Sequence, residues 1–140
     1  MNIDDIYTAA INSQTETLIS LLEANEVDIN ELLDGGIANG VHSRFPALFS
    51  ILVAMQEKGY YDYEILDILI SYGANVNEYV INETDAYTFR IPIVFYAIRW
   101  NDAKLVRYFM DKLLAASDNC YLAAIGTYVE RKRETVETLS

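Results

Sequence analysis

Three helical segments of the same design recur along this chain of 140 residues. They are SQTETLISLLEA at 13–24, DYEILDILISYG at 62–73 and NDAKLVRYFMDKLL at 101–114, and each places its apolar residues on one helical stripe. A shorter helical run precedes each of them, and two of these runs begin at Pro46 and Pro92, where the missing amide of proline is tolerated. Because a lone helix pair cannot bury its apolar face, the pattern predicts stacked pairs.

Helix boundaries can be read from capping residues. Ser13 and Glu16 have the spacing of a capping box, and Asp62 and Asn101 are predicted N-caps of the two later segments. Gly73 can adopt the left-handed conformation that ends a helix. The sequence therefore predicts helices that begin and end at these positions.

The segment EILDILISYGANVN at 64–77 resembles the second helix and turn of an ankyrin repeat. FPAL and IPIVFYAI resemble the opening of that repeat, with Phe45 and Ile91 in place of its threonine and with no histidine following. The resemblance implies an all-α fold, namely a short helical solenoid of stacked antiparallel helix pairs with a C-terminal capping helix and elongated inter-repeat loops. One domain, 1–140, would then contain repeat-like units at about 3–30, 45–77 and 91–114 and a cap at 118–140.

The repeat is longer than an ankyrin unit of about 33 residues, because Asn30 and Asn77 of its turns stand 47 residues apart. Insertions at 31–44, 56–63 and 78–90 absorb the difference. The first is glycine-rich and is expected to be a loop, whereas YVIN and YTFR within the third can pair as a short hairpin. By the family analogy, the first and third insertions are fingers beside a concave, partner-binding face. A generic two-helix solenoid with a longer repeat is the alternative architecture.

Charge is distributed unevenly along the chain, whose net charge is −11. Residues 1–89 hold fifteen acidic against two basic side chains, and residues 90–140 hold six acidic against eight basic ones. This distribution disfavours direct binding to nucleic acid or to an anionic membrane and favours a basic partner, unless the acids serve only solubility. The acidic N-terminus does not resemble a signal peptide, no apolar run is long enough for a membrane span, and Cys120 is alone. We therefore expect a cytoplasmic protein.

Residues that could carry catalysis are few. His42 and Cys120 are single residues with no recognisable partner, and the phosphate-binding glycine motifs are absent from the sequence. One cysteine and one histidine cannot supply a typical zinc site, and the acidic stretches lack the ligand spacing of a calcium loop. We therefore expect no catalytic residues, no metal and no cofactor; a carboxylate-based enzyme is the less favoured alternative.

Tyrosine is the most distinctive residue type, with eleven copies in the chain. Tyrosine is enriched at protein interfaces because it combines a large contact area with one polar group and few rotatable bonds. Two clusters lie in the second and third insertions, among acidic residues. The predicted partner-binding residues are Asp34, Tyr60, Tyr61, Asp62, Tyr63, Glu78, Tyr79, Glu83, Asp85, Tyr87, Phe89 and Trp100.

These features predict a non-catalytic protein-binding module. Its most specific form is a stoichiometric inhibitor, of the immunity or counter-defence type, that binds a basic protein such as a nuclease or nucleic-acid-binding protein by imitating the spacing of phosphates. A generic ankyrin adaptor without charge mimicry and a self-assembling structural protein are the alternatives.

Overall fold

A computed structural model describes residues 2–115 of the chain. Helix pairs and β-hairpins alternate along this part of the sequence. Its elements are α1 (Ile3–Ile11), α2 (Thr15–Ala24), β1 (Leu32–Ala38), β2 (Val41–Pro46), α3 (Ala47–Lys58), α4 (Tyr63–Ser71), β3 (Tyr79–Glu83), β4 (Thr88–Pro92), α5 (Ile93–Arg99) and α6 (Ala103–Ala115). The described residues fall into two compact units, one that ends at Ile93 and one that begins at Val94.

The two hairpins join into one antiparallel sheet of strand order β1-β2-β3-β4. Residues Tyr79 and Glu83 of β3 face Pro92 and Thr88 of β4, and the inner strands β2 and β3 pair over three residues, with Arg44 opposite Ile81. The β2–β3 pairing is non-local, because a complete helix pair separates these strands in sequence. The all-α solenoid prediction is therefore wrong, and the fold is α+β.

The first insertion was expected to be a loop, and its glycines have a different role. Asn39 and Gly40 both have positive φ, 54° and 78°, which is the backbone of the two-residue turn that closes a tight hairpin. Gly36, at φ 81°, lies in a bulge where the β1–β2 register shifts. A Cβ atom on Gly35 would stand 2.5 Å from the Phe45 ring, so this position needs glycine for close approach. The third insertion does form the predicted hairpin.

Helix ends agree with the sequence in part. Asp62 caps α4 by accepting the Ile65 amide at 3.2 Å, and α3 follows directly on Pro46. The predicted capping box at Ser13 is wrong, since α2 has Gln14 as its N-cap and no side-chain cap. The third segment is capped by Asp102, which accepts the Leu105 amide at 3.0 Å, and not by Asn101.

The core of the first unit lies between two helical layers. Helix α1 packs against α2 and α3, and α2 contacts α4. The largest fully buried side chains of its four helices are Ile6, Leu18, Leu48, Ile51, Leu52, Ile65, Leu66 and Leu69. Leu18, Ile65, Leu66 and Leu69 belong to the predicted apolar stripes of α2 and α4, which therefore predicted this half of the core. The other four come from α1 and α3, for which the sequence predicted only short helical runs.

A polar link joins the two turns that follow α2 and α4. The Asn30 side chain donates to the Gly73 carbonyl and accepts from the Asn75 amide, both at 2.8 Å. Each turn also has the same internal bond, since Asp28 accepts from the Asn30 amide and Asn75 accepts from the Asn77 amide, both at 2.9 Å. The repeat visible in the sequence therefore corresponds to a repeated turn, and Asn30 connects the first copy to the second.

The described part of the second unit consists of α6 and nearly all of α5. Its buried side chains are Ala97, Leu105, Phe109 and Leu113. The predicted capping helix at 118–140 lies outside the described residues.

Candidate protein-binding surfaces

Five of the predicted partner-binding residues belong to the sheet and its outer turn. Asp34 lies on β1, Glu83 ends β3, Asp85 and Tyr87 are in the β3–β4 turn, and Phe89 lies on β4. Tyr87 and Phe89 are 67% and 52% exposed, and their ring centroids are 5.9 Å apart. The structure thus brings these residues to the same sheet, with an exposed aromatic pair at its β4 edge.

The acidic residues of the sheet have basic neighbours. Asp34 Oδ1 is 2.8 Å from His42 Nε2, and Glu83 Oε2 is 3.5 Å from an Arg44 guanidinium nitrogen. The Gly36 amide and, next, the His42 side chain hold the pKa of Asp34 below its usual value of 3.8. Of the three predicted acidic residues on the sheet, only Asp85 has no ion-pair or hydrogen-bond partner within residues 2–115. A surface on which two of three carboxylates are paired does not resemble the unpaired charges of a nucleic-acid backbone.

Glu78 precedes β3 and Tyr79 begins it, at the end of the strand opposite the β3–β4 turn. The Glu78 carbonyl accepts the Ile93 amide at 3.2 Å, and its side chain accepts the Tyr79 amide at the same distance. Both side chains are half-buried. These two residues therefore help to hold the strand ends.

The cluster Tyr60, Tyr61, Asp62 and Tyr63 lies in and after the turn between α3 and α4. Because α3 starts at the end of β2 and has 12 residues, its length of about 18 Å separates this turn from the sheet. Asp62 is occupied as a helix cap and accepts the Ser13 hydroxyl at 2.7 Å, and only Tyr60 is largely exposed, at 63%. The two predicted clusters do not form one site.

Trp100 occupies the turn between α5 and α6, as predicted. Its ring centroid is 6.0 Å from that of Tyr96, and it is half-buried. It belongs to the second unit.

The sequence did not reveal an apolar groove in the first unit. Its volume is about 390 Å³, and it is lined by residues of α1, α3 and the end of β2. The Phe45 and Phe49 rings, 5.5 Å apart, form one end, and the remaining lining residues are Tyr7, Ser50, Val53, Ala54 and Glu57. Helix α3 is apolar on two sides, since Leu48, Ile51, Leu52 and Met55 are buried while the groove side chains stay half-exposed. The sequence signal for such a groove is a helix with apolar residues on more sides than packing against the core requires, as in α3.

A second surface has the charge that the sequence emphasised. The exposed side chains of α2 and α4 include Glu16, Glu23, Glu64 and Asp67, and neither helix contains a basic residue. Glu23 also accepts the Tyr72 hydroxyl at 2.8 Å, and this bond raises the pKa of that tyrosine. The acidic charge of these two helices is therefore not balanced by basic residues within them, and we call their exposed side the outer helical layer.

Within residues 2–115, no three potential ligands of the His, Cys, Asp or Glu types come together in a way that could hold a metal ion. In the same part of the chain, every helix is too short or too polar to cross a membrane.

Comparisons of this chain with protein-family models, with curated proteins and with solved structures find no match. The resemblance of residues 64–77 to ankyrin repeats therefore rests on the sequence alone.

Proposed function

We propose that this chain is a non-catalytic protein-binding module that holds an apolar segment of another protein in the groove between α1, α3 and the sheet. The observation that carries the proposal is the groove itself. Its volume of about 390 Å³ is at the lower end of the range for binding pockets, and aromatic and aliphatic side chains line most of it. Half-exposed aromatic residues in a concave site are typical anchors of protein interfaces.

The charge around the groove favours a partner with basic residues next to its apolar ones. Glu57 is the only carboxylate among the residues that line the groove. The first unit as a whole holds fifteen acidic and three basic side chains in residues 2–93. An excess of one sign accelerates association with a partner of the opposite sign, whereas the apolar contacts determine how long the complex lasts. The lone Cys120 supports a reducing, cytoplasmic setting for this interaction.

The test is partner capture with matched variants of the full chain. We expect Phe49→Ala to lower the affinity for a captured protein by about 10- to 100-fold, since it removes an aromatic anchor. Tyr60→Ala is the matched control, because Tyr60 is an exposed aromatic residue that follows α3 and is not among the residues that line the groove. Thermal unfolding of both variants separates lost binding from lost structure. Equal affinities of wild type, Phe49→Ala and Tyr60→Ala for the captured protein would exclude the groove as its binding site.

An acidic inhibitor that covers the basic site of a nuclease or nucleic-acid-binding protein is the second candidate. The absence of any basic residue from α2 and α4 favours it. In that case the affinity falls at least tenfold between low and high salt, and Glu16→Lys with Glu64→Lys weakens binding while Phe49→Ala does not. The salt dependence and the variants thus distinguish the two candidates.

A further inference from the structure

The strand β4 is an edge of the described sheet, and it is regular. Its five residues pair continuously with β3, from Thr88 opposite Glu83 to Pro92 opposite Tyr79. The other edge strand, β1, is interrupted by the bulge between Asp34 and Ile37. Bulges are a common way to prevent further strands from pairing with an edge. Of the two edges, β4 is therefore the one that can accept another strand.

The hydrogen bonds beside the ladder show which backbone groups of β4 point outward. The Thr84 amide donates to the Tyr87 carbonyl at 2.8 Å, and the Ile93 amide donates to the Glu78 carbonyl at 3.2 Å. Because bonded pairs alternate in an antiparallel ladder, the odd-numbered residues of β4 bond to β3. The amides and carbonyls of Thr88 and Arg90 consequently point away from the sheet, where an added strand would bind them.

The two faces of the sheet differ at this edge. Arg90 and Thr88 share one face with Ile81 and Glu83 of β3, and Phe89 lies on the other. Glu83 is already paired with Arg44. Arg90 is exposed and makes no ion pair within residues 2–115. Phe89 is 52% exposed and next to the Tyr87 ring. A strand added here therefore meets a positive charge on one face and an aromatic surface on the other.

We propose that the β4 edge binds an extended segment of a partner protein in which acidic and apolar side chains alternate. The segment adds a fifth, antiparallel strand, whose acidic side chain lies opposite Arg90 and whose apolar side chains lie beside Phe89. Main-chain bonds to Thr88 and Arg90 supply affinity, and the alternation supplies specificity, as in other cases of strand addition. This binding mode goes beyond the groove proposed above, and neither surface needs the other.

The test uses synthetic peptides and the full-length protein labelled with ¹⁵N. The probe is the acetylated and amidated heptapeptide Thr-Val-Glu-Val-Glu-Val-Thr, and the comparison peptide has lysine in place of both glutamates. We expect the glutamate peptide to bind about tenfold more tightly and to shift the amide signals of Thr88 and Arg90. Arg90→Glu should reverse the preference of the protein for the two peptides.

Backbone methylation provides the sharper control. In the proposed register the glutamates lie opposite Thr88 and Arg90, so their amides bond to β4, whereas the valine amides point away. N-methylation of the two glutamates should abolish binding, and N-methylation of the valines should leave it unchanged. Equal binding of the two methylated peptides, no binding of any peptide, or signal shifts confined to β1 would overturn the proposal. So would broadening of the Thr88 and Arg90 signals with protein concentration alone, because a second copy would then occupy the edge.

Discussion

The side-chain amide of Asn30 is the most direct polar connection between the two turns of the first unit. It donates to the Gly73 carbonyl and accepts from the Asn75 amide, each at 2.8 Å. Net contributions of about 0.5–1.5 kcal/mol per hydrogen bond, at a half-buried site, give about 1–2 kcal/mol for Asn30→Ala. Asn30→Asp retains only the acceptor and sets a carboxylate against the Gly73 carbonyl, so it should lose about as much.

Asn77 provides the matched control for this prediction. It occupies the equivalent position in the second turn, 47 residues later, but its side chain makes no hydrogen bond within residues 2–115. Asn77→Ala should therefore change the free energy of unfolding by less than about 0.5 kcal/mol. Urea unfolding followed by far-ultraviolet circular dichroism measures the difference between the variants. If Asn30→Ala and Asn77→Ala lowered the stability equally, the connection between the turns would not stabilise the fold as we describe.

Three further predictions concern polar side chains at the start of α4 and on the β1–β2 hairpin. Asp62→Ala should lower the free energy of unfolding by about 1–2 kcal/mol, because it removes both the α4 cap and the acceptor of the Ser13 hydroxyl. Ser13→Ala removes only the hydroxyl bond to Asp62, so it should lower the free energy of unfolding by less in the same urea experiment. The pKa of Asp34 is lower in the folded than in the unfolded state, so ionised Asp34 contributes its full stabilisation above about pH 4 and loses it as the pH falls through the folded-state pKa. The difference in the free energy of unfolding between wild type and Asp34→Asn should therefore shrink as the pH is lowered from about 4. In an NMR titration, His42→Ala should raise the pKa of Asp34 only part of the way to 3.8, since the Gly36 amide remains its first partner, and a complete return would contradict this order of causes.

Local signals in the sequence predicted the helices and one of the hairpins. The apolar stripes identified the later helix of each of the three pairs. YVIN and YTFR, which include most of β3 and β4, do pair. The Asn39-Gly40 dipeptide was an equally clear hairpin signal, but the nearby Gly35 and Gly36 made the whole segment look like a loop. The joining of β2 to β3 has no local signal, because these strands approach each other only when the α3–α4 pair folds between them.

The candidate surfaces could be predicted less well than the fold. Composition drew attention to tyrosine and acidic residues, but it could not show that Asp34 and Glu83 have basic neighbours or that Asp62 is a cap. Phe45 lies on a strand and Phe49 on a helix, and only their packing at 5.5 Å creates the end of the groove. Such sites depend on contacts between elements, which the periodicity of a single element does not report.

Site-specific photo-crosslinking tests the central claim, binding through the groove, most directly. A photo-crosslinking amino acid placed at Val53, which lines the groove, should form a covalent link to the captured partner. The same amino acid at Glu64, on the exposed face of α4, should not. Crosslinking from position 64 and none from position 53 would contradict the account and would move the binding site to the acidic outer layer.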